Sequence, residues 1–426
     1  MLDISMEIWH NKAMAESGVT EYRERSMAAK VAELSSVFSC VLVTGARQVG
    51  KSTMLQRIMP EGMRYVTLDD YSMADYARKD PKGFLEEMGE PLCIDEIQYA
   101  PEILRAIKIR VDEARQRPGM YWLTGSQRFH MMKGVSESLA GRIAIVDLHS
   151  LSQREICGVA CREAFDPERA REMVQKDCLC SLETLYERIW RGGYPVPVLR
   201  KKMDVADYFR SYVQTYVERD VQALTEVGNL AAFVRLMRSA AMRTGQQLVY
   251  SDLARDAEVS PKTAAAWLSI LQASGIVALL EPYHVNTTKR LSKTPKLYFL
   301  DTGLCCWLAG WDSPSRLQNG MFAGPILETW VYGQLIRSFA NAGKSPNLCY
   351  YRDRDGGEVD FVLEKNGCLY PMEVKRSSSP SMADLKWAQR IPTGDSFQLK
   401  PGIVFCTAME PVPMPFGAMG FPIQEL

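Results

Sequence analysis

An α/β fold organised around a parallel sheet is the architecture that this 426-residue sequence predicts, and three observations support it. Short apolar runs alternate with longer helical segments in the first third of the chain, as in parallel sheets covered by helices. A glycine-rich loop follows the first of these runs and opens a helical segment. Strand-like patterns return near the end of the sequence, which indicates a second α/β unit.

The predicted strands of the first unit are short apolar runs bounded by turn residues. They cover residues 40–44, 64–68, 92–95, 121–124 and 143–146. We expect these strands to form one compact domain over residues 1–150, preceded by a helical lead over residues 1–37.

The remainder of the chain divides into three predicted parts. Residues 151–227 are helical and rich in charge, with loop signals at Gly192-Gly193 and Pro197, and form a helical lid or linker. Residues 228–300 form a small helical unit that ends in strands. Residues 301–426 form the second α/β unit, and its beginning, residues 303–324, reads as a linker because it contains Asp312-Ser313-Pro314 and Asn319-Gly320.

Composition excludes several classes of protein. Apolar residues make up 46% of the chain and charged residues 24%, as in globular proteins with ordinary cores. The 51 basic and 51 acidic residues balance, so any attraction to nucleic acid must be local. No apolar run approaches the roughly 20 residues of a membrane span. The first ten residues lack the basic and apolar parts of a signal peptide, so we expect a cytoplasmic protein without a membrane partner.

The glycine-rich loop matches the pattern G-x-x-x-x-G-K-[ST] completely. Its glycines let backbone N–H groups face phosphates, and the following helix adds its positive end. Lys51 is expected to reach the β- and γ-phosphates of ATP, and the Ser52 hydroxyl to bind Mg²⁺. The predicted nucleotide-binding residues are Gly45, Ala46, Arg47, Gln48, Val49, Gly50, Lys51, Ser52 and Thr53.

Two acidic residues follow the predicted strand at residues 92–95. Asp95 ends this strand at the edge where the phosphates are expected, so we assign it to the magnesium shell. Glu96 is the natural base for the attacking water. Ser126, after the next strand, is placed to touch the γ-phosphate or the water. Arg142 precedes the fifth strand and is either a finger that stabilises transition-state charge or a structural salt-bridge residue.

These motifs resemble a widespread prokaryotic family of AAA ATPases fused to a C-terminal domain of unknown function. The matching segments are Gly45-Ala-Arg-Gln-Val-Gly-Lys-Ser-Thr53, Leu68-Asp-Asp70, Ile94-Asp-Glu-Ile-Gln98, Leu123-Thr-Gly-Ser-Gln127, Ser138-Leu-Ala-Gly-Arg142, Gly192-Gly-Tyr-Pro195, Thr215-Tyr-Val-Glu-Arg-Asp220, Asp301-Thr-Gly303 and Gly357-Glu-Val-Asp-Phe361. The resemblance spans most of the chain and implies ATP hydrolysis on an AAA-type P-loop sheet. Ala46 and Ser52 stand where Pro and Thr are more usual.

A winged helix is predicted within residues 228–300. Ser260-Pro261 provides an N-cap and an N1 proline for a helix through Ala273, and a strand pair follows as the wing. Basic residues gather there, which suits phosphate contacts on DNA of low sequence specificity. They are Lys262, Lys289, Arg290, Lys293 and Lys296. A protein-interaction module is the alternative.

The last α/β unit carries a second group of acidic residues. Asp360 and Glu373 lie on two predicted strands joined by a turn at Asn366-Gly367, and Lys375 shares a face with Glu373. Two carboxylates beside a lysine suit a magnesium site that activates water. This spacing resembles the PD-(D/E)XK nuclease superfamily, in which Glu328 on the preceding helix matches the additional acidic residue.

Two functions therefore remain open from the sequence. One is a DNA-acting ATPase that controls a nuclease-like tail. The other is a regulatory ATPase switch whose winged helix and tail bind proteins and cleave nothing. AAA proteins commonly assemble, so a homo-oligomer is also expected.

Overall fold

The apolar runs of the N-terminal unit form the strands of a parallel sheet in this computed structural model, which describes residues 22–126, 139–216, 229–285 and 294–426. The strands are β1 (Cys40–Thr44), β2 (Arg64–Thr67), β3 (Leu92–Asp95), β4 (Tyr121–Gly125) and β5 (Ile143–Asp147). Their order is β2-β3-β4-β1-β5, which confirms the predicted parallel sheet within the described residues. The predictions for Gln127, Lys289, Arg290 and Lys293 lie outside the described ranges.

Helices cover both faces of this sheet because its strands are apolar on both sides. The first helices are α1 (Met27–Ser35), α2 (Lys51–Ile58), α3 (Tyr71–Lys79), α4 (Pro81–Met88) and α5 (Ile103–Glu113). Leu42 and Leu123 pack in the cluster that includes buried residues of α3, α4 and α5. Val41 and Val43 face the other way, into a core shared with the middle and C-terminal regions. The sheet is therefore joined to the rest of the chain through one of its faces.

The middle region is helical before it becomes a small sheet. Its first helices are α6 (Gln153–Ile156), α7 (Ala170–Met173), α8 (Leu182–Arg191), α9 (Pro195–Leu199) and α10 (Val205–Tyr216). The elements that follow are α11 (Leu230–Met242), β6 (Gln246–Gln247), α12 (Tyr250–Ala257), α13 (Pro261–Ala273), β7 (Val277–Leu280) and β8 (Lys296–Phe299). The three strands pair antiparallel in the order β6-β8-β7. Ser260 caps α13 by accepting from the backbone N–H of Thr263 at 3.0 Å, as its sequence predicts.

The prediction of a linker at residues 303–324 is wrong. This segment contains helices α14 (Thr302–Leu308) and α15 (Pro314–Asn319). The Asp301 carboxylate caps α14, because one oxygen accepts from the N–H groups of Gly303 and Leu304 at 3.0 and 3.1 Å. Its other oxygen accepts from Ser150 Oγ at 3.0 Å and from the Gly193 N–H at 2.9 Å. The proline that suggested a turn is the N1 residue of α15.

The C-terminal unit is a long buried helix followed by a mixed sheet. The helix is α16 (Ala323–Asn341), and the strands are β9 (Asn347–Arg352), β10 (Glu358–Lys365), β11 (Cys368–Val374), β12 (Gln398–Leu399), β13 (Ile403–Cys406), β14 (Val412–Pro413) and β15 (Met419–Pro422). Strands β9, β10 and β11 are antiparallel neighbours, whereas β11, β13 and β15 are parallel. The two strands predicted to carry Asp360 and Glu373 are confirmed as β10 and β11.

Candidate nucleotide site and carboxylate cluster

The glycine-rich loop connects β1 to α2, which is the predicted context. Gly45 and Gly50 both have positive φ, at 140° and 93°. A side chain at Gly45 is excluded, because a Cβ there would lie 2.1 Å from the carbonyl oxygen of Leu148. Lys51 is buried, and its Nζ donates to the carbonyl oxygens of Gly45 at 3.1 Å and Ala46 at 2.9 Å. The ammonium therefore lies within the curve of the loop.

Asp95 lies at the carboxyl end of β3 and is held by hydroxyl groups from three elements. Ser52 Oγ donates to Asp95 Oδ1 at 2.7 Å, and Tyr65 OH donates to Oδ2 at 2.8 Å. Thr124 Oγ1 is a third donor to this carboxylate. Burial, together with the neighbouring Asp95 charge, raises the pKa of Tyr65 well above its ordinary value, so the phenol remains a proton donor. Sequence patterns predicted the Ser52–Asp95 pair but neither Tyr65 nor Thr124.

Glu96 lies beside this carboxylate in a left-handed backbone conformation, with φ of 57°. Its N–H donates to Thr124 Oγ1 at 3.0 Å, which fixes this conformation from the next strand. Gln98 Nε2 donates both to the Glu96 carboxylate and to Ser126 Oγ, the latter at 3.2 Å. Ser126 Oγ in turn lies 3.5 Å from Glu96 Oε2. The structure thus brings Ser126 to Glu96, and it adds Gln98, which follows Glu96 by two residues in the sequence.

Arg142 lies at the amino-terminal end of the parallel strands, whereas the loop lies at their carboxyl-terminal end. It immediately precedes β5, whose residue Ile143 pairs with Cys40 at the start of β1, whereas the loop follows Thr44. The five residues of β1 separate these two ends of the strands, or roughly 16 Å. Arg142 Nε and Nη2 donate to the two carboxylate oxygens of Asp112 at 2.6 and 3.1 Å. The structure therefore places Arg142 in a surface ion pair, away from its own nucleotide loop.

Two segments outside the sheet contact the nucleotide loop, and sequence patterns gave no signal for either. Arg25 is buried, pairs with Glu155 at 3.2 Å, and donates to the carbonyl oxygen of Val49 at 2.7 Å. Gly275, just after α13, lies so close that a Cβ there would be 3.6 Å from the backbone nitrogen of Ala46. The middle region therefore touches the phosphate-binding loop directly.

The carboxylates predicted in the C-terminal unit lie close together, and each has a different partner. Asp360 accepts from the Val374 N–H at 2.8 Å, while Glu373 Oε2 accepts from Lys375 Nζ at 2.6 Å. Glu373 Oε1 is buried without a hydrogen-bond partner. Burial and the Asp360 charge raise the pKa of Glu373 to about 8. Burial and Asp360 likewise raise the pKa of Glu328 to about 7.

Glu328 points towards a lysine that the sequence suggested was on the surface. Lys296, the first residue of β8, is only 2% exposed. Its Nζ lies 2.9 Å from Glu328 Oε1 and 2.5 Å from Glu358 Oε1, and Tyr298 OH also donates to Glu328. The expected contact of Lys296 with DNA phosphates is wrong, because its ammonium is enclosed by carboxylates.

The carboxylates hold Lys296 in its charged form. Burial lowers the pKa of Lys296, but Glu328, Asp360 and Glu358 outweigh burial and raise it above its ordinary value. Of the basic residues predicted to contact DNA, Lys262 is the exposed one among those described. Within the described ranges, no group of three or more His, Cys, Asp or Glu side chains is arranged to hold one metal ion. Glu328 is turned towards Lys296 instead of completing such a group.

Comparison with known proteins assigns families to three parts of this architecture. Residues 38–157 match the AAA domain, residues 182–315 match a domain of unknown function (DUF8612), and residues 323–426 match another domain of unknown function (DUF4143). The AAA match contains the loop, Asp95 and Glu96. The chain is therefore a P-loop ATPase of the AAA type.

Two mycobacterial proteins are similar over most of the chain. The uncharacterized protein Rv2008c of Mycobacterium tuberculosis is 30% identical over 363 residues, which cover 84% of this chain and 75% of that protein. The uncharacterized protein Mb2031c of Mycobacterium bovis matches to the same extent. The chain belongs to the same family as these two proteins.

Among solved structures, the Walker-type ATPase PABY2304 of Pyrococcus abyssi is similar over 68% of this chain and 99% of its own, at 15% identity and a TM-score of 0.41. The branch-migration motor RuvB of Thermotoga maritima is similar over 59% of this chain and 86% of its own, at 17% identity and a TM-score of 0.29.

As for membranes, the helices in the described ranges are all too short or too polar to span one.

Proposed function

We propose that this ATPase acts on DNA and that ATP turnover controls a nuclease-like C-terminal domain. The observation that carries the ATPase chemistry is the Asp95 carboxylate, held by Ser52, Tyr65 and Thr124 next to Glu96. Hydroxyl and carboxylate oxygens are the ligands that Mg²⁺ takes beside nucleotide phosphates, so Ser52 and Asp95 fit this ion. When bound, Mg²⁺ neutralises phosphate charge during transfer.

The remaining steps of hydrolysis belong to side chains around the loop. Lys51 and the backbone N–H groups of residues 45–53 bind the phosphates of ATP. Glu96 orients the attacking water and accepts its proton. Gln98 and Ser126 fix the direction of the Glu96 carboxylate through the contacts described above. Thr124 links both acids, because it donates to Asp95 and accepts from the Glu96 N–H.

The test of this assignment uses two variants and one control. Lys51→Ala should abolish binding of a fluorescent ATP analogue, whereas Glu96→Gln should bind ATP and retain it unhydrolysed. Glu102→Gln, a change at an exposed acid a few residues further on, should leave both properties intact. Wild-type turnover by Glu96→Gln would contradict the role of Glu96 as the base.

A homo-oligomer is part of the proposal because of the position of Arg142. Since the nucleotide loop of the same subunit is at the other end of the strands, Arg142 would act on ATP bound by a neighbouring subunit. Mixing Arg142→Ala with Lys51→Ala should then restore turnover, because each variant supplies what the other lacks. Asp112→Asn is the matched control, since it loosens Arg142 without removing the guanidinium. Loss of activity in Asp112→Asn equal to that in Arg142→Ala, with no rescue on mixing, would show that the ion pair is structural.

The middle region supports contact with DNA through its order of elements. Helices α11, α12 and α13 followed by the β7–β8 hairpin are in the order of a winged helix. Lys262 is exposed at the start of α13, where a phosphate contact would be made. The opposite end of α13 reaches Gly275 beside Ala46, so DNA on this helix would lie one helix away from the nucleotide loop. DNA-stimulated ATP turnover is the expected result, and turnover indifferent to single- and double-stranded DNA would contradict it.

The nuclease part of the proposal rests on Asp360, Glu373 and Lys375. Helix α16 followed by the antiparallel strands β9, β10 and β11 is the order of elements in the PD-(D/E)XK superfamily. The buried, unpartnered Glu373 Oε1 is an oxygen suited to a divalent cation. Asp360, Glu373 and Glu328 would hold this cation, which when bound activates water for phosphodiester cleavage. Lys375 would orient that water.

The intact chain, with and without ATP, is the material for the nuclease test. Cleavage of DNA should require Mg²⁺ or Mn²⁺ and should vanish in Asp360→Ala, Glu373→Ala and Lys375→Ala while ATP turnover continues. Asp395→Ala changes an exposed acid of the same unit and should cleave like the wild type. Cleavage that survives in all three variants would come from a contaminant and would refute the assignment.

The second candidate function is a regulatory ATPase switch without nuclease activity. One observation favours it: Glu328, needed for the metal site, is already paired with the buried ammonium of Lys296. Under this alternative the carboxylates close ion pairs, and the middle and C-terminal regions bind proteins. The alanine variants would then lose thermal stability, and no carboxylate-dependent metal binding would be seen by calorimetry.

A further inference from the structure

The C-terminal carboxylates receive a cation from another part of the chain. Lys296 belongs to β8 of the middle region, where it pairs in the sheet with Leu280 and Gln247. Its side chain leaves that sheet and ends between Glu328 of α16 and Glu358 of β10. Two separate elements of the C-terminal unit thus converge on one ammonium of the middle region.

The contacts of this ammonium are those of a fully bound ion. Its Nζ approaches two carboxylate oxygens at 2.9 and 2.5 Å and lies 5.4 Å from the centre of the Tyr350 ring. A buried cation needs such partners, because removal from water is costly unless opposite charge and hydrogen bonds replace it. The same oxygen of Glu328 also accepts from Tyr298, so it is committed to two donors. This oxygen of Glu328 is therefore already occupied by the ammonium and the phenol in this arrangement.

We propose that Lys296 is a built-in competitor of divalent cations at the Asp360–Glu373 site, held there by the position of β8. With β8 in place, Glu328 Oε1 is bound to the ammonium, so a metal ion at Asp360 and Glu373 has to compete with Lys296 for Glu328. Movement of the Lys296 side chain away from Glu328 would remove one positive charge and free one carboxylate oxygen at the same time. Both changes strengthen attraction for Mg²⁺ or Mn²⁺, so movement of one strand switches the site. This inference rests on the metal site of the proposed function.

The position of β8 is connected to the nucleotide loop by direct contacts. Strand β7, the neighbour of β8, follows Gly275, whose Cα region packs against Ala46 of the loop. At the other end of β8, the Leu300 carbonyl oxygen accepts from Arg337 of α16 at 2.6 Å. A change in the nucleotide loop can therefore reach β8 through two neighbours, first Gly275 and then strand β7.

The test compares Lys296→Met with the wild type, using Mn²⁺ alone as the probe. Met keeps the length of the stem and removes the charge. Calorimetry should show Mn²⁺ binding about tenfold or more tighter in Lys296→Met, because one unit of nearby positive charge is lost. Mn²⁺ should also raise the Tm of this variant more than that of the wild type. Lys201→Met, at an exposed lysine of the middle region without a role in either proposed site, should bind Mn²⁺ like the wild type.

Two further variants make the outcome decisive. Adding Asp360→Asn to Lys296→Met should remove the gained affinity, which locates the ion at this site. Lys296→Gln, which keeps a hydrogen-bond donor without charge, replaces Lys296→Met if the latter does not fold, and it should show the same gain. Equal Mn²⁺ affinity in wild type and both Lys296 variants, including no binding in any of them, would overturn the inference.

The two proposals fail in different ways. A Lys296→Met protein that gains Mn²⁺ binding but cleaves no DNA would sink the nuclease function and leave the competition by Lys296 intact. A wild type that already binds Mn²⁺ as tightly as Lys296→Met, and cleaves DNA, would do the reverse.

Discussion

Both α/β units of this chain contain buried or half-buried acidic residues, and the neighbours of these residues differ in charge. Asp95 is bound by the hydroxyls of Ser52, Tyr65 and Thr124, which are neutral donors. Glu373 and Glu328 are bound by the ammonium groups of Lys375 and Lys296. A hydroxyl orients a carboxylate and leaves its negative charge uncompensated, whereas an ammonium neutralises it. The proposed Mg²⁺ site at Asp95 therefore needs no cation to leave, whereas under the proposed competition Lys296 must release Glu328 before Glu328 can bind a metal ion.

The largest expected effect tests whether the hydroxyl-bound site is the reactive one. Glu96→Gln should lower kcat for ATP by about 10²–10⁴, the usual contribution of a general base. Binding of ATP should remain within a few fold of the wild type, because Lys51 and the loop are unchanged. Single-turnover hydrolysis and nucleotide titration measure the two properties separately. A fall in affinity as large as the fall in kcat would assign Glu96 to binding instead.

The next effect concerns the ammonium-bound site. Lys375→Met leaves the buried Glu373 without its partner, so the free energy of unfolding should fall by about 1–3 kcal/mol. Urea denaturation of this variant and of Lys344→Met, an exposed control, gives the comparison. Unchanged stability would mean that the lysine does not compensate Glu373, and the contrast between the two sites would weaken.

A smaller effect is expected when the side-chain amide of Gln98, which donates to Glu96, is removed. Gln98→Ala removes the donor to both Glu96 and Ser126, so kcat should fall about tenfold, as for the loss of one hydrogen bond to a charged group. The KM for ATP should stay constant, because Gln98 is predicted to position the base without binding nucleotide. Gln98→Asn, with a shorter amide, should be impaired in the same way. A change confined to KM would contradict this positioning role.

The smallest effect tests the neutral donors themselves. Tyr65→Phe removes one of the three hydroxyls on Asp95, and Ser52 and Thr124 remain. Unfolding free energy should fall by about 0.5–1.5 kcal/mol, the net value of a typical hydrogen bond. The Mg²⁺ dependence of ATP turnover should shift by no more than a few fold. A shift of a hundredfold would make Tyr65 an essential part of the metal site.

Local signals in the sequence were sufficient for the nucleotide loop and for the strands. The loop must follow an apolar strand and precede a helix, and both neighbours can be read within a few residues of Gly45. The hydroxyl groups that donate to Asp95 come from separate elements, so they could not be predicted from the neighbouring residues in the sequence. Thr124 reaches Asp95 only because β3 and β4 are neighbours in the sheet. Helix α14 was missed because its cap, Asp301, also depends on Ser150 and Gly193, which are remote in sequence.

Lys296 shows the limit of counting charges along the chain. It follows other basic residues in the sequence, and this context suggested a surface exposed to DNA. Its true surroundings are set by Glu328 and Glu358, which belong to a different unit. Arg142 is a similar case, since its partner Asp112 lies 30 residues earlier in the sequence and only the fold brings the two side chains together.

The buried Asp301 carboxylate has a mechanical consequence for any motion driven by ATP. It ties Ser150 of the first unit and Gly193 of the helical region to the start of α14, with both oxygens in use. Separating these segments would break hydrogen bonds to a charged group, each with a stabilising effect of about 1.5–3 kcal/mol. These hydrogen bonds therefore favour keeping the three segments together during any motion that ATP drives. Because Asp301 follows β8 by two residues, any motion that ATP imposes on Lys296 would have to leave this junction in place, and Gly275, beside Ala46 of the loop, is the other point where it could enter.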